Sequence, residues 1–178
     1  MPEFLTYSNL FLNYKESIQQ RYTPIEEKGA MLIITQPSCA SAVQPLADWK
    51  MQRGISTEVV TTSVTGTTQS AILSYIQTYY AANPNLMFVL FVGDHEQIPA
   101  YNAGSTGSET KWSDTKYGML AGSDSYTEVL VGRLPAKTAT HATSMVTKIL
   151  EYEKTPSAGT WYTNSIGIGS DEGAGIGD

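Results

Sequence analysis

Asp124-x-Tyr126-x-Glu128 is the spacing in this chain most specific for chemistry. In an extended segment residues two apart share a face, so the pattern sets two carboxylates and a tyrosine on one side. Calcium takes roughly six to eight oxygens, backbone carbonyls among them. Asp124, Glu128 and the Tyr126 carbonyl would give part of such a shell, with Asp94 and Asp114 the nearest candidates for the rest. The competing reading is a polar loop with ordinary turn aspartates.

Other residue types invite chemistry and resolve less sharply. Gly93-Asp94-His95-Glu96 directly follows an apolar run, where Asp94 either serves a site or simply caps a turn. Cys39 precedes a helical stretch, where a thiolate is activated, but a cysteine nucleophile also needs a base. The two histidines, His95 and His141, make no self-contained dyad with it, so Cys39 reads as a small buried residue. Gly169 to Asp178 is a glycine-rich loop, yet Glu172 stands where a dinucleotide fingerprint needs its third glycine. No Gly-Lys-Ser/Thr is present and acidic side chains repel phosphate, which excludes nucleotide binding there. Glu172 itself is either an active-site carboxylate or a solvated turn residue.

These residues need a frame. Met31-Leu32-Ile33-Ile34 and Leu86 to Val92 are continuous apolar runs, as strands buried on both faces give, and the second is the expected central strand. Ile55 to Thr61, Val129 to Val131 and Ile166 to Ile168 predict further strands. Ala42, Leu46 and Trp49 predict a helix with Pro45 in its first turn and Gly54 at its C-terminal cap. Ile72, Tyr75, Ile76, Tyr79 and Tyr80 give a second helix, stopped by Asn83-Pro84-Asn85, and Ala142 to Leu150 a third. Ile98 to Tyr126 reads as one long Gly/Ser/Thr-rich loop. Strands alternating with helices predict an α/β fold, a mostly parallel sheet with helices on both faces. Its sites form beyond the C-terminal strand ends, after Ile34, Val92 and Ile168. Residues 1–21 differ in composition and read as a tail or linker; residues 22–178 form the α/β unit.

The 178 residues carry a net charge of −6, which argues against a nucleic-acid surface. A single cysteine excludes an internal disulfide framework and a multi-cysteine zinc site. No apolar run reaches the roughly 18 residues of a membrane span, and the first twenty residues lack a signal-peptide pattern.

Taken in order, a set of motifs resembles the gingipains, cysteine endopeptidases of Bacteroidota, and most nearly their arginine-specific branch. The pieces are Tyr22-Thr23-Pro24-Ile25-Glu26-Glu27-Lys28, Asp48-Trp49-Lys50-x-Gln52-Arg53-Gly54 and Val92-Gly93-Asp94-His95-x-x-Ile98-Pro99-Ala100. Ser113-Asp114-x-x-Tyr117-Gly118, Asp124-x-Tyr126-x-Glu128-Val129-x-Val131-Gly132-Arg133, Tyr152-Glu153 and Ser170-x-Glu172-Gly173 continue the series.

The resemblance implies the first of two α/β subdomains of a catalytic domain, whose second, caspase-like subdomain is a partner and carries the catalytic cysteine and histidine. Glu172 matches the carboxylate that orients that histidine. Asp124, Tyr126 and Glu128 match a structural calcium segment. Arg21-Tyr22 matches a self-processing junction of a zymogen, with residues 1–21 the end of a propeptide. A protein or peptide substrate, cleavage after arginine when the enzyme is complete, and a secreted or cell-surface location follow in the same way. Cys39 and His95 match neither catalytic position, so this chain alone is expected to be inactive. The alternative, from another class, is a non-catalytic, calcium-stabilised α/β module that binds a partner.

Overall fold

A computed structural model describes residues 29–106 and 109–166. Its elements are β1 (Ala30–Thr35), α1 (Ala40–Gln52), β2 (Ser56–Thr61), a one-turn α2 (Thr62–Thr65), α3 (Gln69–Ala82) and β3 (Leu86–Val92). Then come β4 (Tyr101–Thr106), β5 (Glu109–Ser113), β6 (Leu130–Leu134) and α4 (Ala139–Lys154). Strands β2-β1-β3-β6 form one sheet in that order, with every pair parallel, and β4-β5 form an antiparallel hairpin.

Alternation along the inner strands divides the core. Leu32 and Ile34 of β1 join Val89 and Phe91 of β3, Ile72 and Ile76 of α3, and Tyr117 on one face. Ile33 and Val92 point the other way and meet Val43 and Ala47 of α1 and Ala142 of α4. Burial on both faces is why these strands read as unbroken apolar runs. The expected α/β architecture with a covered parallel sheet is therefore the observed one.

The helix ends follow local chemistry. Thr68 and Thr138 accept the backbone N–H groups of Ala71 and His141, each at 3.2 Å, and so cap α3 and α4. Gly54, at φ +82°, turns the chain out of α1. Its N–H reaches the Met51 carbonyl at 2.9 Å and the Ile55 N–H reaches that of Lys50 at 3.0 Å, a Schellman ending. Glu153 on α4 pins α1, accepting Trp49 Nε1 and Lys50 Nζ, each at 2.7 Å.

Two expectations are corrected, and a third lies mostly outside the described residues. Pro45 lies inside α1 rather than in its first turn, because the helix already begins at Ala40; it forgoes one backbone bond there. The stretch from Ile98 to Tyr126 is not one loop. It contains the β4-β5 hairpin and a 3₁₀ turn, Thr115–Gly118, whose Tyr117 is fully buried with its hydroxyl on the Pro99 carbonyl at 2.6 Å. Ile166, the start of the expected last strand, is 88% exposed and unpaired in the sheet, and residues 167–168 lie outside the described ones.

Candidate functional site

Parallel strands place all their C-terminal ends on one rim. Chain direction across the sheet reverses between β1 and β3, which opens the crevice where α/β folds build sites. The hydroxyl of Thr35, at the end of β1, donates to the Val92 carbonyl at the end of β3 across 3.0 Å and closes its floor.

Gly93 to Ile98 forms the β3 side of the rim. The N–H groups of Gln97 and Ile98 both bond the Asp94 carbonyl at 2.9 Å, so the chain turns tightly. The Asp94 carboxylate accepts the His95 N–H at 2.8 Å and faces His95 Nδ1 at 3.2 Å and Lys137 Nζ at 3.3 Å. Its pKa is held below the ordinary value, first by the His95 backbone N–H and then by the His95 ring and Lys137, against the opposing effect of desolvation. The imidazole of His95 stacks on Trp112 of β5 at 5.5 Å.

Below this turn lies a clamp. Arg133 of β6 donates Nε and Nη2 to the two oxygens of Asp114, each at 2.7 Å. Its Nη1 bonds the carbonyls of Gly93 at 2.7 Å and Ile98 at 3.0 Å. The guanidinium also sits 5.2 Å from the Phe91 ring centroid. One side chain thus holds the rim turn, the end of the β4-β5 excursion and the edge strand together. The signal for Arg133 in the sequence is its place at the end of Val131-Gly132-Arg133, a charge on a strand otherwise apolar.

The loop before β6 has its own anchor. Glu128 Oε2 accepts the N–H groups of Leu120 at 2.6 Å and Ala121 at 3.1 Å, and these bonds lower its pKa, Leu120 contributing most. Asp124 Oδ1 accepts the Tyr126 N–H at 3.0 Å, an Asx turn, and Tyr126 is 80% exposed.

Of the metal candidates, Asp114 pairs with Arg133, and Asp94 with His95 and Lys137. Among the described residues, no three His, Cys, Asp or Glu side chains converge as a metal site would require. Asp124 and Glu128 are each engaged by backbone N–H groups of their own loop.

Cys39 is fully buried, and its sulfur accepts from Gln36 Nε2 at 3.2 Å, the same amide that reaches the carbonyls of Ala136 and Lys137. His141 lies in the first turn of α4. Cys39 is thus the small core residue its sequence context suggested. Glu172, Arg21 and Tyr22 lie outside the described residues, as does the expected tail, 1–21.

Residues 25–178 match the model of peptidase family C25. Gingipain R1 of Porphyromonas gingivalis is 33% identical over 94% of this chain and 17% of its own length. Lys-gingipain W83 of the same organism is 28% identical over 76% of this chain and 8% of its own length. A solved structure of the Arg-specific cysteine proteinase gingipain R superposes with a TM-score of 0.62 at 33% identity, over 74% of this chain and 30% of that one. The chain thus spans under a third of each relative it matches.

Proposed function

From a chain that belongs to peptidase family C25, we propose the N-terminal α/β part of the catalytic domain of a cysteine endopeptidase that cleaves after arginine. The observation that carries this reading is the coincidence of the family match with a shared fold at 33% identity to an Arg-specific proteinase. The stronger likeness to gingipain R1 than to Lys-gingipain W83 supports arginine over lysine as the preferred residue.

In this reading a thiolate from the second subdomain attacks the scissile carbonyl. A histidine beside it carries the proton to the leaving amine. Glu172 accepts a hydrogen bond from that histidine, sets its tautomer and steadies the imidazolium. The residues around Arg133 hold the rim in shape, and Asp124, the Tyr126 carbonyl and Glu128 hold a structural calcium ion. Arg21-Tyr22 is the processing junction, and the substrate is an extracellular protein or peptide.

The test is hydrolysis of an arginyl peptide by the complete reading frame, with and without a thiol-alkylating reagent. Cleavage that the reagent abolishes supports the proposal. Cleavage by the pure 178-residue chain overturns the division of labour between the two subdomains.

A further inference from the structure

The sequence holds three arginines, Arg21, Arg53 and Arg133. Arg21 lies outside the described residues. Each of the other two lays its guanidinium against a carboxylate from elsewhere in the fold. Arg133 meets both oxygens of Asp114 at 2.7 Å, and its Nη1 donates to the carbonyls of Gly93 and Ile98. Arg53 Nη1 lies 4.0 Å from Glu153 Oε2, and its guanidinium sits 5.7 Å from the Trp49 ring centroid. The Trp49 indole N–H donates to that same Glu153 oxygen at 2.7 Å. One carboxylate thus serves the ring and the cation together.

The peptide bonds that follow are held as well. Arg53 ends α1, with its N–H on the Trp49 and Lys50 carbonyls at 3.1 Å. The N–H groups of Gly54 and Ile55 turn back onto the carbonyls of Met51 and Lys50, and Gly54, at φ +82°, bends the chain away from extended geometry. Arg133 pairs with Phe91 in the sheet, and the next carbonyl, that of Leu134, accepts the Gly93 N–H at 3.0 Å. A peptidase that cuts after arginine must take an extended segment into its cleft and the guanidinium into a pocket.

We propose that Glu153 and Asp114 shield the chain's own arginines, withholding Arg53–Gly54 and Arg133–Leu134 from an arginine-cutting peptidase. Each carboxylate holds the guanidinium that the pocket of such an enzyme would have to capture, and the two-pronged grip of Asp114 is the firmer of the two. The shield at Arg53 is the more exposed to challenge. Surface turns with small residues are where folded chains are nicked, and the Arg53 side chain is 52% exposed. The use of this self-protection rests on the arginine preference proposed above, but an added peptidase tests the shielding whether or not that preference holds.

The test adds an arginine-specific peptidase to the 178-residue chain and maps the cut bonds by mass spectrometry. Ser157→Arg supplies the reference, because residues 155–159 are exposed and belong to no helix or strand. Cleavage after position 157 in that variant should run at least about a hundredfold faster than cleavage after Arg53 or Arg133, since cleavage follows the population of the open form. Comparable rates overturn the proposal, and this comparison leaves both carboxylates in place.

Removing each shield separates capture of the side chain from general compactness. Glu153→Gln should speed cleavage after Arg53 about three- to tenfold, and Asp114→Asn should speed cleavage after Arg133 about tenfold or more. In each variant the rate at the other arginine should change by less than about twofold. An equal rise at both arginines, or no rise at the one set free, overturns the proposal.

Discussion

Arg133 and Asp114 face each other as a two-pronged pair, with both donor–acceptor distances at 2.7 Å and both side chains less than one-fifth exposed. The pair ties an edge strand to the far end of a long excursion from the rim. Removing one member leaves the other charge without its partner in a half-dry setting. Arg133→Ala should lower unfolding stability by about 3–5 kcal/mol. Arg133→Lys keeps the charge but loses the fork, and should cost about 1.5–3 kcal/mol. Urea titration of each variant and of Asp114→Asn, completed as a double-mutant cycle, reads the coupling. Additive losses would show that the clamp does not act as a unit.

Acid should loosen the fold through carboxylates whose pKa values are depressed. Asp94 is lowered chiefly by the His95 N–H and Glu128 by the Leu120 N–H; for Glu153 desolvation is the largest effect and raises the pKa, but Lys50 and Trp49 together outweigh it. A depressed folded-state pKa gives stability that is present above the unfolded value, about 4, and lost as pH falls through the folded one. Thermal melts should thus show this contribution steady from pH 7 to about 5 and falling below about 4. Glu153→Gln should flatten that fall and lower the melting temperature at pH 7.

Base acts through tyrosine. Tyr79 donates its hydroxyl to Glu58 at 2.9 Å, and burial, with that acceptor, pushes its pKa up to about 12. Burial raises Tyr117 as well. A raised folded-state pKa gives stability that is complete below the unfolded value, about 10, and lost as pH climbs through the folded one. Absorbance titration should find a class of tyrosines that ionises only as the protein unfolds. Their ionisation near pH 10 in the folded chain would contradict the assignment.

Calcium binding can be separated from the clamp. Calorimetry should detect binding to the wild type and its loss in Asp124→Ala, while Asp114→Asn keeps it, because Asp114 is committed to Arg133. Calcium held only by the folded state should also raise the melting temperature. No heat with the wild type, or equal binding by wild type and Asp124→Ala, would remove this site.

How much of this was legible in the sequence depended on periodicity. Leu86 to Val92 announced an interior strand because both of its faces are buried. Gly54 announced a helix end because a left-handed residue is needed there. The β4-β5 hairpin was hidden because Tyr-Asn-Ala-Gly-Ser-Thr and Glu-Thr-Lys-Trp-Ser carry no apolar alternation and form a separate two-stranded sheet. The pairing of Asp114 with Arg133 was equally hidden. A carboxylate's partner is set by tertiary geometry, and Arg133 lies nineteen positions from Asp114. Buried strands and caps are local signals; ion-pair choice is not.

The role proposed for Glu172 is to orient a catalytic histidine of the second subdomain. The measurement that meets it most directly is kcat for an arginyl peptide with the complete reading frame, wild type against Glu172→Gln. The account predicts thiol-dependent turnover by the wild type and a loss of about 10²–10⁴-fold in kcat for the variant, with KM little changed. Equal kcat for the two proteins, or no turnover by the wild type, would contradict it.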